Sequence, residues 1–136
     1  MRYALLDLPL ESIHKLAFKA AEATHCAEEQ GKFWEMHHRL FEHQRALEPW
    51  SGHADALGLE AEPFEQCMAS GRHAAAIRKD MAEAQKAGAT GTPAFVIART
   101  DPADPKKAKG IVFLKGAQPY PRFKAEIEQA LAGLEK

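Results

Sequence analysis

Pro93 constrains this 136-residue chain more than any other position, because it stands at the mouth of its most strand-like segment, Ala94-Phe95-Val96-Ile97. A proline has no backbone N–H and a fixed φ, so it cannot sit inside a central ladder without losing a donor. Two local solutions exist. A trans proline opens the strand at its first residue, or a cis Thr92–Pro93 bond turns the chain into it. Only about 5–6% of X–Pro bonds in folded proteins are cis, so the residues by themselves favour the trans form.

Around that point the chain alternates between helical and extended patterns. Arg2 to Leu8 is predicted as a short strand, nearly apolar on both faces and stopped by Pro9. Ser12 is placed to cap a helix in which Ile13, Leu16, Ala17, Ala20, Thr24 and Ala27 recur at helical spacing up to Gly31. A second helix is expected over Lys32–Ala46, with a stripe of Phe33, Met36 or His37, Leu40 and Gln44 and an adjacent stripe of Trp34, His38 and Phe41, both buried. Leu47 to Glu60 contains Pro49, Ser51, Gly52 and Gly58 and is expected as a loop with one helical turn across His53–Leu57.

A short helix follows over Glu62–Ala69, with Pro63 in its first turn, and Gly71 separates it from a longer one aligned on Ala74, Ile77, Met81, Ala84 and Ala87. Two strands, Ala94–Ala98 and Ile111–Leu114, flank the charged, turn-prone stretch Asp101–Lys107 as a hairpin. A final helix carries Phe123, Ile127, Ala130, Leu131 and Leu134 on one face. The expected order is strand, four helices, β-hairpin, C-terminal helix, an α/β arrangement.

Composition excludes several functions. With 46% hydrophobic and 27% charged residues the chain has the make-up of a folded domain rather than a disordered one. Its 18 Lys+Arg against 19 Asp+Glu leave no basic face to neutralise a run of phosphates, so nucleic acid is not an expected partner. No apolar run approaches the ~18–20 residues of a bilayer span, so no membrane insertion is expected. The first twenty residues lack the pattern of a signal peptide, which makes the chain cytoplasmic as written.

There is no Gly-rich phosphate loop and no Ser-centred nucleophile elbow, and no cofactor is expected. Lys106, Lys107, Lys109 and Lys115 form a solvated hairpin tip without interleaved aromatics. Glu35 and His38 have the i, i+3 spacing of bundle metal sites, but the motif occurs once and His37, His38 and His43 fall on different sides of one helix, so no metal site is expected. His25 is adjacent to Cys26, but neighbours on a helix point apart. Cys26 and Cys67 are too far apart for a Cys-x-x-Cys pair.

The run Thr90-Gly91-Thr92-Pro93-Ala94-Phe95-Val96-Ile97, followed by a hairpin and Gly116-Ala117-Gln118-Pro119, resembles the second half of a DsbA-like thioredoxin fold. Asp7-Leu8-Pro9-Leu10-Glu11-Ser12-Ile13-His14, Ala17 to Ala23 and Gln30-Gly31-Lys32-Phe33-Trp34-Glu35-Met36-His37 resemble the family's passage from strand into helical insert. The resemblance covers nearly the whole chain and is weakest over 49–59. It implies a partial thioredoxin-like fold, one domain over residues 1–136, with a helical insertion at about 12–87.

The same resemblance implies a cis Thr92–Pro93 bond, with Thr92 offering its backbone to a substrate strand and Pro93 keeping that edge open for a protein or peptide. It also implies a structural disulfide between Cys26 and Cys67, against the alternative of two buried reduced thiols. The family's catalytic Cys-x-x-Cys is not among these residues; in relatives it precedes the segment that begins here at Met1. Disulfide exchange needs an activated thiolate with a resolving thiol close by, so no catalytic residue is assigned.

The family is periplasmic by habit. Without its first strand, the strands at Arg2–Leu8 and Ala94–Ala98 would leave open ladders, which predicts a homodimer or strand-exchanged oligomer. Two other readings stand beside this one. The chain is a truncated reading frame of an active protein-disulfide oxidoreductase, or it is a non-redox relative akin to kappa-type glutathione transferases and isomerases, which Gly116-Ala117-Gln118-Pro119 fits less well.

Overall fold

A computed structural model of the protein describes residues 1–133. Leu134, the last position of the expected C-terminal stripe, lies outside the described residues. The chain forms two compact units, Met1–Glu83 and Ala84–Lys136. In all it holds six helices and one two-stranded antiparallel sheet among the described residues, a mixed α/β content.

The first unit is helical. It contains α1 (Ala17–Glu28), α2 (Phe33–Glu42), α3 (Trp50–Ala56), α4 (Ala61–Ser70) and most of α5 (Ala74–Lys86). Helix α1 is alanine-rich, which favours helix and keeps one face small enough for α2 and α4 to pack closely on it. Ala23, Cys26 and Ala27 of α1 share one buried cluster with Met36 and Leu40 of α2, Ala54 of α3, Leu59, and Phe64 and Cys67 of α4. Gly31 has a φ of 72°, which lets the chain reverse after α1 so that the Lys32 N–H reaches the Ala27 carbonyl at 2.9 Å.

Several expectations are corrected here. Arg2–Leu8 is not a strand, because a strand needs a ladder and this segment has none among the described residues. Polar tethers hold it instead: the Asp7 N–H donates to Asp80 Oδ2 at 3.1 Å, and the Asp7 carboxylate meets His25. Ser12 caps no helix. Residues 11–13 form turns, the His14 N–H returns to the Leu10 carbonyl at 2.9 Å, and α1 starts at Ala17 without a side-chain cap.

The stretch expected as a loop over 47–60 contains α3, so five helices rather than four precede the hairpin. Packing overrides the local Gly and Ser content: Ala54 is buried and Trp50 packs on the core. His53, only 5% exposed, takes a hydrogen bond from Arg39 Nε on Nδ1 at 3.0 Å and donates from Nε2 to the Ala46 carbonyl at 3.0 Å. This fixes its tautomer and fastens α3 to α2. Helix α2 ends at Glu42, and only its Met36–Leu40 face is buried. Trp34 and Phe41 are exposed, with ring contacts to Tyr3 and to His37 and His38 of the same helix.

In the second unit β1 (Ala94–Thr100) and β2 (Ala108–Lys115) pair antiparallel from Ala94↔Lys115 to Ile97↔Val112, with a register shift between Ile97 and Ala98. Gly110 faces Ala98 just past that irregularity, where a Cβ would come 3.3 Å from Val96 Cγ1. Helix α6 (Tyr120–Ala132) follows Pro119, whose extended backbone starts it. Phe123 meets Phe95 edge-on, with ring centroids 4.8 Å apart. Phe123, Ile127 and Ala130 are half-buried, while Leu131 is exposed and leaves the expected stripe.

Phe64 is 1% exposed at the centre of the helical cluster. Phe64→Ala should lower stability by about 3–5 kcal/mol, read as a shift in the urea midpoint with an unchanged slope. A loss below about 1 kcal/mol would refute that core assignment.

Candidate functional site

Two places carry chemistry, one in each unit. In the second unit Gly91-Thr92-Pro93 leads into β1, with Thr92 and Pro93 both exposed. The Thr92–Pro93 bond is cis, as is Glu48–Pro49. The Pro93 carbonyl accepts the Gly116 N–H at 2.8 Å, which ties the start of β1 to the turn after β2. Strand β1 pairs with β2 alone, so its other edge has no ladder partner among the described residues. On the hairpin the paired side chains Val96 and Phe113 are both exposed. An open edge with apolar side chains beside it can accept a further extended segment through main-chain hydrogen bonds.

In the first unit Cys26 of α1 and Cys67 of α4 form a disulfide with their Cα atoms 5.7 Å apart. Both are buried, and no free cysteine remains among the described residues. A polar cluster flanks the bridge. Glu29, one turn past Cys26, accepts from Arg72 Nε on Oε1 at 2.8 Å and from Arg72 Nη2 on Oε2. His73 Nε2 donates to the same Oε1 at 2.7 Å, and that oxygen lies 3.7 Å from Cys67 Sγ. The Arg72 guanidinium, with His73 beside it, holds the Glu29 carboxyl well below the usual carboxylate range, at about 2.

The His25 ring stacks on His73 with centroids 5.4 Å apart. Its Nε2 is 2.6 Å from Asp7 Oδ2 and its Nδ1 is 3.1 Å from Glu28 Oε2. The Asp7 hydrogen bond outweighs the desolvation that opposes it, and with Glu28 it raises His25 to about 9. His25 is therefore an imidazolium at neutral pH, donating from both nitrogens and pinning the extended N-terminal segment to α1. His37 is shifted down by burial, and its buried Nδ1 has no hydrogen-bond partner. Glu35 pairs with Lys32 at 3.2 Å.

The two residue pairs singled out from the sequence thus lie in different units: Thr92 and Pro93 on the hairpin side, Cys26 and Cys67 between two helices. Sequence reasoning did not find Glu29, Arg72, His73 or the Asp7–His25 pair. Arg72 and His73 lie beyond Gly71, after the end of α4, and reach Glu29 across 43 and 44 positions, a separation without a periodic signal. The acid–base complementarity of Glu28-Glu29 and Arg72-His73 was the one available hint.

The sequence model of the DSBA-like thioredoxin domain matches residues 4–128. Among curated proteins, the Na(+)/H(+) antiporter NhaA 1 of Salinispora arenicola is 39% identical over 99 residues, which is 71% of this chain and 15% of that protein. Na(+)/H(+) antiporter NhaA 3 of Salinispora tropica is 39% identical over the same shares. NhaA 1 of Mycolicibacterium vanbaalenii is 49% identical over 67 residues, or 47% of this chain and 11% of that one. The chain therefore spans about 15% of the length of the first of these relatives. No solved structure matches. None of the described helices is long and apolar enough to cross a membrane.

Three outcomes are expected of these geometries. The His25 clamp contributes its full stability below pH 6.5 and loses it as pH rises through about 9, since the folded pKa is the higher one. Urea unfolding should show a loss of roughly 1–2 kcal/mol between about pH 6 and about pH 10 that shrinks in Asp7→Asn; an equal loss in that variant would refute the clamp. Glu29 works in the opposite sense, contributing above pH 4.5 and losing its effect as pH falls toward 2. Removing the bridge with paired Cys→Ser substitutions at Cys26 and Cys67, 41 positions apart, should cost about 4 kcal/mol in the same denaturation assay.

Proposed function

Because the chain belongs to the DSBA-like thioredoxin domain family, we propose that it binds extended polypeptide along the Thr92–Pro93 turn and the open edge of β1, and that its two cysteines perform no dithiol exchange. The observation that carries this reading is the edge of β1 that has no ladder partner among the described residues, with exposed Thr92 and Pro93 just before it and exposed Val96 along it. The family points to protein substrates, and strand addition supplies affinity from main-chain bonds without demanding one sequence. Catalysis in such a family needs a reactive thiolate with a resolving partner. Here both sulfurs are covalently bound to each other and buried between α1 and α4, which supports a structural role.

On the same reading the helical segment at about 12–87 is an insertion in one DsbA-like domain, a view supported by the family match running through both units. Without a peptide, the edge is open to a second copy of the chain, giving a homodimer or strand-exchanged oligomer. Cation exchange is the activity in the names of the relatives, and the small share of their length covered here gives no reason to carry it over.

The test is fluorescence anisotropy with labelled, carboxymethylated insulin B chain as an unfolded, thiol-blocked probe, alongside insulin reduction. The native chain should bind saturably without catalysing reduction. Thr92→Pro, which deletes one edge N–H, should weaken binding by about fivefold to tenfold, the worth of one backbone hydrogen bond. Thr92→Ala, which keeps the backbone, should bind like the native chain. Robust turnover, or unchanged affinity in Thr92→Pro, would sink the reading.

A further inference from the structure

We propose that reduction of the Cys26–Cys67 bridge turns its surroundings into a site for a thiophilic divalent cation such as Zn2+, held by Cys26 Sγ, Cys67 Sγ and the His73 imidazole, with the Glu29 carboxylate completing the set. The ligand atoms of Cys26, Cys67 and His73 all lie within 4.8 Å of one another. Glu29 Oε1 extends the group, at 3.7 Å from Cys67 Sγ and 2.7 Å from His73 Nε2. The four groups converge from α1 and its C-cap Glu29, from α4, and from His73 just before α5. Two thiolates, an imidazole and a carboxylate are ligand types that zinc takes tetrahedrally.

The redox state decides whether the site exists. In the disulfide each sulfur has spent its thiolate on the other, so the oxidised chain offers only His73 and Glu29. A dithiol or phosphine reductant delivers two electrons: the S–S bond breaks, two thiols form, and the reductant becomes its disulfide or phosphine oxide. Binding of the cation then forms two S–metal bonds and releases the two thiol protons. It also forms an N–metal bond through the His73 ring nitrogen that is free of its proton, so Nε2 ligates only as the tautomer that keeps the proton on Nδ1. The charges balance locally, with two thiolates set against the dication and Glu29 against Arg72. Without a cation, two thiolates in this apolar cluster would be uncompensated buried charges, which is unfavourable.

The geometry also supplies access and support. Cys26 and Cys67 are buried, while the side chains of His73 and Glu29 are 24% and 34% exposed, so an ion enters from the polar side and meets the sulfurs behind it. The His25 ring stacked on His73 and the Arg72 fork on Glu29 hold these two ligands in place, the role that outer groups play at metal centres.

The experiment adds Co2+ to the full chain, reduced with a water-soluble phosphine or left oxidised, and then competes the Co2+ with Zn2+. The reduced chain should bind one Co2+ with the intense visible bands of a tetrahedral ion and thiolate-to-cobalt charge transfer, and Zn2+ should abolish both. The oxidised chain should show neither. His73→Ala and Glu29→Gln, reduced and with both thiols still titrating, should each weaken binding at least about tenfold. Zn2+ should raise the melting temperature of the reduced chain, or restore its helical circular dichroism where reduction has loosened it. The proposal fails if the reduced chain shows no thiolate-bound tetrahedral cobalt, if either variant binds as tightly as the native chain, or if Zn2+ leaves the reduced chain's helicity and melting unchanged.

Discussion

The covalent link between Cys26 and Cys67 sets the terms on which the helical unit holds together. The fully buried cluster around it is small: three of its residues are alanines, its larger apolar members are Met36, Leu40, Leu59 and Phe64, and Leu47, Trp50, Leu57 and Met68 cover it while only partly buried. A core of this size stabilises only modestly, because burial scales with apolar area and small domains keep much of theirs exposed. The bridge restricts the unfolded chain instead of adding contacts to the folded one. Close packing of alanine-rich α1 on α2 and α4 then follows, since small side chains suffice where a covalent bond already holds two of the helices together.

Elements that follow a local rule were legible in the sequence. The hairpin showed as two apolar runs around a charged turn, α4 through Pro63 and Gly71, and α5 through its alanine and Ile77 spacing. Elements settled by tertiary partners were not. Arg2–Leu8 has strand composition but meets carboxylate and imidazole groups rather than a ladder, and the stretch around Trp50 has loop composition but is drawn into a helix by burial of His53 and Ala54. The second stripe of α2 has an apolar period that burial does not honour, because α1 and α3 meet the helix on one side. The residues around the disulfide were illegible for another reason: their meaning depends on two helix ends, distant in sequence, arriving at one point.

The disulfide and the open edge of β1 lie in different units of this chain. The bridge sits within the helical unit beside the Glu29–Arg72 and Glu29–His73 pairs, whereas the open edge of β1 presents plain backbone. Each relies on a different force. The first depends on charge pairs whose strength changes with protonation, the second on main-chain groups that do not titrate. Changes of acidity that loosen one leave the other's donors and acceptors as they were.

The N-terminal segment gains a distinctive mechanical character from the way it is fastened. A strand in a sheet leaves only by unzipping its neighbours' hydrogen bonds, which couples its departure to loss of the sheet. Residues before Pro9 are fastened at Asp7, through its backbone to Asp80 and through its carboxylate to His25, and no ladder stands behind them among the described residues. Such a strap lifts by breaking a few separate contacts, the Asp7 tethers and the Tyr3–Trp34 ring contact among them, while α1 to α4 stay assembled, an opening confined to one segment of the molecule. Its backbone amides should exchange with solvent on their own timescale, and a protease should reach Arg2 long before it reaches the helices.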